Sequence, residues 1–263
     1  MPADPQRTGV SEQAAAGRPS PLERAVDRVP FLEKELFLLA RLVRRGDRCV
    51  DVGAAGGAHL LVMASRAGPN GRVLGVEPRP RSFAVLRRVV QLSGMGGRVV
   101  LAPVALSDTT GSVTLRVPVV PTRAHLPGTV NDTASAAAFA GLPAPEIEVP
   151  AHRLDDVVRA VRLDRVDVLK CDVEGAELLV LAGASRILRH DRPVVVLEAD
   201  DLHQRRFDAR AQDVGDAVVS YGYRMHRYRR GRLEPVAGVT DDEDDYVFVP
   251  KERPLPAGLH PRP

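Results

Sequence analysis

The stretch Val50–Gly57, "VDVGAAGG", decides how this chain of 263 residues folds. Val50 to Val52 read as the end of a buried strand, and Gly53 and Gly57 frame a tight turn. From about Ala58 to Arg66, apolar residues recur at helical spacing. A strand, a glycine turn and a helix in that order leave free backbone N–H groups at the carboxyl edge of a sheet. Glycine lets the backbone come close to whatever lies there.

On both sides of that turn, strand and helix signals alternate. "RCVDVG" is followed by the first helix, then "RVLGVEP", a helix from about Arg81 to Ser93, and "RVVLAPVAL" as one further strand. "GSVTLRVPVV" reads as a β excursion. The second half brings a strand at Val166–Asp172, a helix from about Ala176 to Leu188, and a strand at Pro193–Ala199. A helix near Ala209–Ser220, a hairpin turning at Gly231 and a short last strand, "YVFVP", complete the order. The expected fold is α/β: a Rossmann-like, doubly wound sheet of about seven strands, mostly parallel with the last antiparallel, and helices on both faces.

Composition agrees. Hydrophobic residues make up 44% and aromatics only 4%, so the core is built from Val, Leu and Ala, as suits a covered parallel sheet. The formal charge of +3 comes mostly from arginine, since Lys34, Lys170 and Lys251 are the only lysines. An arginine, alanine, valine and proline bias of this kind follows genome composition as readily as function, so it is not read as a sign of nucleic-acid binding. The two cysteines, Cys49 and Cys171, fall in core strands and fit a reducing interior. No run reaches the roughly 18 apolar residues of a membrane span, and the amino terminus has no apolar signal core. The expectation is a soluble, cytoplasmic protein. Residues 1–21 read as a disordered tail, 22–250 as one domain, and 251–263 as a C-terminal tail. Within the domain, 22–46 form an N-terminal helical segment and 121–145 a Pro-, Gly- and Ala-rich loop placed to act as an acceptor lid.

The turn spacing is G-x-x-G-G, so the dinucleotide fingerprint G-x-G-x-x-G, which holds a pyrophosphate, is missing. The second strand nevertheless ends in Glu77, roughly two dozen residues on, where an acid accepts ribose hydroxyl protons. A ribose reader without a pyrophosphate cradle points to a nucleoside cofactor lacking phosphates, and S-adenosylmethionine fits. The bland alternative is a plain tight turn.

At this point the chain resembles the FkbM-like methyltransferases, class I S-adenosylmethionine-dependent enzymes that methylate hydroxyl oxygens. The resemblance runs from about Glu33 to Val249 and is carried by "CVDVGAAGG", "GVEP" (Gly75–Pro78), "ALSD" (Ala105–Asp108), "RLDDV" (Arg153–Val157) and above all "VDVLKCDVEGAE" (Val166–Glu177). It implies Asp51, Gly53, Ala54 and Gly57 on the methionine side of the cofactor, Glu77 and Pro78 at the ribose, Ala105 and Ser107 at the adenine edge, and Asp172 beside the cofactor. The family usually has Asn where this chain has Ala55, and often Asn where it has Val89 or Val90. By resemblance, then, one polar interaction with the cofactor or its loop is missing here or is made by another group.

An alcohol is a poor nucleophile near neutral pH and needs a base or a metal. Asp172 ends the fourth strand and Glu198 the fifth, on one edge of the sheet. They read as a general base with its partner, as two oxygen ligands of Mg²⁺, or as structural acids, one ordering the cofactor and one pairing an arginine. His203 is a further base candidate, or a solvated loop histidine; His152 and His125 are weaker ones, and His59 is expected at the surface. Lys170 should pair with a neighbouring acid. Glu174 and Glu177 suit a helix N-terminus, and "DDEDD" (Asp241–Asp245) suits a solvated turn.

The expected function is S-adenosylmethionine-dependent O-methylation of a small molecule, a sugar or secondary-metabolite hydroxyl by resemblance. One alternative is an RNA or other nucleic-acid methyltransferase, for which the Tyr and Arg interleaving of "YGYRMHRYRRGR" is the feature to test. The other is a catalytically inactive partner that kept the fold. No membrane partner is expected; the oligomeric state is open, a homodimer being compatible.

Overall fold

The computed structural model describes residues 34–116, 145–240, 242–256 and 258–260. The tail 1–21, the first part of the N-terminal helical segment, residues 121–144 of the expected lid, and His125 lie outside these residues.

A large sheet organises the chain. Its parallel part comprises β1 (Arg48–Val52), β2 (Arg72–Val76), β3 (Val99–Ala102), β7 (Val168–Cys171) and β8 (Val194–Glu198). Strand β11 (Asp245–Pro250) runs antiparallel between β8 and β9 (Tyr223–Arg229). β10 (Arg232–Pro235) adds an eighth strand through a hairpin whose two turn residues, Arg230 and Gly231, have φ of 47° and 75°, the left-handed pair that a two-residue hairpin needs. The eight strands lie in the order β10-β9-β11-β8-β7-β1-β2-β3. Every residue of β7 and β8 is buried, which is why "VLKC" and "VVVLE" read as near-continuous apolar runs rather than alternating ones.

Helices cover both faces. On one lie α1 (Lys34–Leu42), α2 (Ala58–Ala67) and α3 (Pro80–Leu92), whose Leu38, Leu39, Leu60, Met63 and Leu86 pack with Cys49, Val168 and Val196 of the sheet. On the other, α4 (Leu154–Ala160), α5 (Glu177–Ala182) and α6 (Ala211–Ser220) pack against Val50, Leu169 and Leu197. Side chains alternate faces along a strand, so Asp51, Lys170 and Glu198 share the α1–α2 face with Cys49, Val168 and Val196. Chain order reverses between β1 and β7, which makes their carboxyl ends the switch point of the sheet.

Three segments differ from the sequence expectations. "RVVLAPVAL" is not one strand: at Pro103, which has no N–H to donate, it leaves β3 and enters a separate three-stranded sheet. That sheet consists of β4 (Ala105–Leu106), β5 (Gly111–Arg116) and β6 (Glu146–His152), in the order β4-β6-β5. Of the described residues beyond Pro250, Leu259 is packed: it is buried, its carbonyl accepts the Leu233 N–H at 2.9 Å, and Arg41 of α1 donates to the carbonyls of Gly231 and Gly258. His59 is largely shielded rather than at the surface, with Nε2 3.2 Å from Glu35 Oε2 of α1.

Candidate active site

The glycine turn is shaped by its neighbours. Gly53 has φ of 79°, and a Cβ there would stand 1.8 Å from the Asp172 carbonyl oxygen, so only glycine lets the β1 and β7 ends meet. The N–H groups of Gly53 and Ala54 both donate to the Val76 carbonyl, at 3.0 Å each. Ala55, where the resemblance expects Asn, has φ of 41°, a conformation that costs an L side chain and that Asn tolerates better. Its N–H donates to Glu77 Oε2 at 3.0 Å. Gly57, with φ of 89°, leads into α2, which begins without a side-chain cap.

Beneath this turn Asp51 is 0% exposed, and neither carboxylate oxygen has a hydrogen-bond partner. Its nearest cation is Lys170 Nζ, 3.8 Å from Oδ1. Burial pushes the Asp51 carboxyl up, and the lysine opposes that. Buried acceptors are seldom left without a donor, so an orphaned carboxylate under uncapped helix N–H groups fits a zwitterionic amino-acid end such as that of S-adenosylmethionine. Glu77 is equally buried, but its oxygens are bonded: Arg79 donates from its backbone N–H at 3.0 Å, from Nε at 2.8 Å and from Nη2 at 3.2 Å. Pro78 lies between them, and Pro80 starts α3. Ala105 and Ser107 are both buried; the Ser107 hydroxyl donates to Asp108 Oδ1 at 3.0 Å.

Across the switch point runs a row of acids. Lys170, 1% exposed, sets Nζ 3.1 Å from Asp172 Oδ2. Burial raises the Asp172 carboxyl, but the ammonium of Lys170 and hydrogen bonds from Lys170 and Glu198 outweigh it and leave the group below its ordinary range. On Glu198 burial wins. Helped by the Asp172 charge and opposed by the hydrogen bond from His203, it lifts the carboxyl to about 7. In its protonated form Glu198 donates to the Asp172 carboxylate. His203 Nδ1 lies 3.4 Å from Glu198 Oε2, an interaction that raises the imidazole above its ordinary value. The two candidate magnesium ligands are therefore hydrogen-bonded to each other. Among the described residues no group of three or more His, Cys, Asp or Glu side chains is arranged to hold a metal ion.

Two acids extend the row that sequence reasoning missed. Asp245 faces Glu198 across the β8–β11 ladder, and burial first, then the charges of Asp172 and Glu198, push it to about 7. Glu35 of α1 is raised well above its range by burial first and then by the charge of Asp245, with which it shares a hydrogen bond. "DDEDD" is accordingly no purely solvated turn: Glu243 is buried and Asp245 begins a strand. Acidic composition hid this, because Glu35, which shares a hydrogen bond with Asp245, is far away in sequence. Glu177 is buried too, and accepts the Val173 N–H at 2.9 Å and the Gly175 N–H at 3.0 Å, so it organises the turn beyond Asp172. His152 ends β6, in the smaller sheet.

A family model described as "Methyltransferase FkbM domain" matches residues 51–225. Methyltransferase sdnD of Sordaria araneosa is 34% identical over 155 residues, which cover 51% of this chain and 59% of that protein. Methyltransferase 1 of Beauveria bassiana (strain ARSEF 2860) is 29% identical over 175 residues, covering 59% and 67%. The chain thus spans less than two thirds of the first of these relatives. Among solved structures, the methyltransferase FkbM of Methylobacillus flagellatus KT aligns with a TM-score of 0.49 at 18% identity, over 77% of this chain and 43% of that one. Fibrillarin of Aeropyrum pernix, in complex with S-adenosyl-L-methionine, aligns with a TM-score of 0.46 at 18% identity, over 83% and 74%.

Proposed function

The chain belongs to the FkbM methyltransferase family, and from that premise we propose that it is an S-adenosylmethionine-dependent O-methyltransferase acting on a hydroxyl of a small molecule, of the sugar or secondary-metabolite kind. Asp51 and the turn at Gly53, Ala54 and Gly57 would hold the amino-acid end of the cofactor, and Glu77 its ribose. The cofactor supplies an electrophilic methyl group on a sulfonium.

The observation that carries the acceptor reading is the Asp172–Glu198–His203 arrangement beside the glycine turn. With a carboxyl at about 7, Glu198 is half-ionised near neutral pH, where a general base is most effective. Asp172 stays ionised beside Lys170 and its charge keeps Glu198 basic; His203 orients Glu198 and offers a second proton site. Holding the acceptor oxygen in line with the methyl group contributes the larger share, since good orientation of two reactants is worth roughly 7–11 kcal/mol. Leu202 and Phe207, exposed apolar residues on the segment that carries His203, suit an acceptor with an apolar ring face.

The basic hairpin supports a small molecule over nucleic acid. Arg227 pairs with Glu234 at 3.1 Å, Arg229 pairs with Asp242, Arg224 donates to the Arg253 carbonyl and Arg232 to that of His260. Arginines held this way are poorly placed to track a phosphate backbone. The test is S-adenosylhomocysteine release with a panel of sugar and polyketide hydroxyl acceptors, with the methylated atom located by NMR. An O-methyl product supports the proposal; turnover on RNA alone, or transfer to nitrogen, contradicts it.

A further inference from the structure

Glu77 is the acid expected to read the cofactor's ribose, yet its carboxylate is fully buried and accepts four hydrogen bonds: one from the Ala55 N–H, one from the Arg79 N–H and two from the Arg79 guanidinium. An ionised carboxylate offers about four acceptor sites, so none remains for ribose hydroxyls. The two backbone donors are fixed by the turn and by the start of α3. The guanidinium is different: it sits on a long flexible stem and the side chain is 36% exposed. It is therefore the group that an arriving ribose has to displace.

A displaced guanidinium needs another anion. Among the charges that act on Arg79 are Glu174 and Asp172, both beyond the end of β7. Asp172 is already engaged by Lys170 and Glu198, whereas Glu174 is exposed on the following turn, at φ of 55°. β1 lies between β2 and β7, so a guanidinium passing from Glu77 to Glu174 crosses the carboxyl end of β1, over the glycine turn. Resting on the cofactor reading above, we infer that Arg79 gates the ribose site, holding Glu77 in the free protein and Glu174 once the adenosyl cofactor is bound. Arg79 is in this sense a positioning residue: it shields the buried acid while the site is free and closes across the cofactor when it is filled.

Two measurements test this with S-adenosylhomocysteine as the probe. In the first, the Arg79 Nε–H resonance of the wild-type protein is followed by NMR to saturation. The gate requires it to move and to broaden toward solvent exchange; an Arg79 signal unchanged at saturation overturns it. In the second, calorimetry compares Glu174→Gln in two backgrounds. The exposed substitution should leave the unliganded melting temperature unchanged and weaken binding at least fivefold in the wild-type background. With Arg79→Gln already present it should weaken binding less than twofold. Equal effects in both backgrounds, or none in either, overturn the gate. The NMR arm stands even if Arg79→Gln fails to fold. Binding without coupling refutes the gate alone, while no binding by the wild type or any variant refutes the cofactor reading and the gate with it.

Discussion

Lys170 Nζ lies 3.1 Å from Asp172 Oδ2 at the switch point of the sheet, in a position where the lysine is 1% exposed. Burial alone would strip its proton, but Asp172, Asp51 and Glu35 together hold it well above its ordinary value. One ammonium thus acts on two carboxylates: it opposes the rise that burial imposes on Asp51 under the glycine turn, and it holds Asp172, beside the proposed base, below its ordinary range. Removing one partner of a buried ion pair costs roughly 3–5 kcal/mol. Lys170→Met should lower the urea-unfolding free energy by about that amount and raise the apparent pKa of Asp172; stability within about 1 kcal/mol of wild type would show that the lysine is not needed for the acids.

The pH dependence of turnover follows from Glu198. A base with a carboxyl at about 7 is protonated and idle at pH 5.5, so kcat should rise through neutrality and level off above pH 8. Glu198→Gln should remove that limb and lower kcat about 100-fold, while S-adenosylhomocysteine binding by calorimetry stays within a few fold. If the limb survives in Glu198→Gln and disappears in His203→Gln, the proton goes to the imidazole instead.

Stability should respond to pH with the opposite sign. Asp245, at about 7 when folded against an ordinary 3.8, binds a proton more tightly in the native state. Its favourable contribution is complete below the unfolded value and is lost as pH rises through 7. Urea midpoints should therefore fall between pH 5 and pH 8. In Asp245→Asn, which carries no charge to bury, the fall should be shallower and the pH 8 midpoint higher than that of wild type.

Much of this was legible in the sequence because it is local. The strand–glycine turn–helix of Val50–Ala67 and the acids closing β2, β7 and β8 announce themselves within a few residues. So does the hairpin turn at Gly231. What stayed hidden depends on neighbours distant in sequence. The hydrogen bond between Asp245 and Glu35 joins residues about two hundred positions apart; the packing of Leu259 needs Arg41 and Leu233. Pro103 shows a further limit: "RVVLAPVAL" reads as one strand, and nothing local says that the chain leaves one sheet for another there.

Ala55 offers a stabilising change. A left-handed φ of 41° carries strain that glycine relieves, and its hydrogen bond to Glu77 uses only the backbone N–H, which glycine keeps. Relief of such strain is worth about 1 kcal/mol, or roughly 2–4 °C in melting temperature for a domain of this size. Ala55→Gly should melt higher by that margin; a lower melting temperature would mean that the methyl group packs against something the turn depends on.

If the turn at Gly53–Gly57 and Glu77 form an adenosyl-cofactor site without a pyrophosphate cradle, the protein should tell S-adenosylhomocysteine from NAD. Thermal unfolding with each ligand in turn tests this most directly. A ligand at about 100 times its dissociation constant stabilises by roughly 2.7 kcal/mol, so S-adenosylhomocysteine should raise the melting temperature by about 5–10 °C, and NAD should leave it unchanged. A shift with NAD, or none with either, would contradict the account.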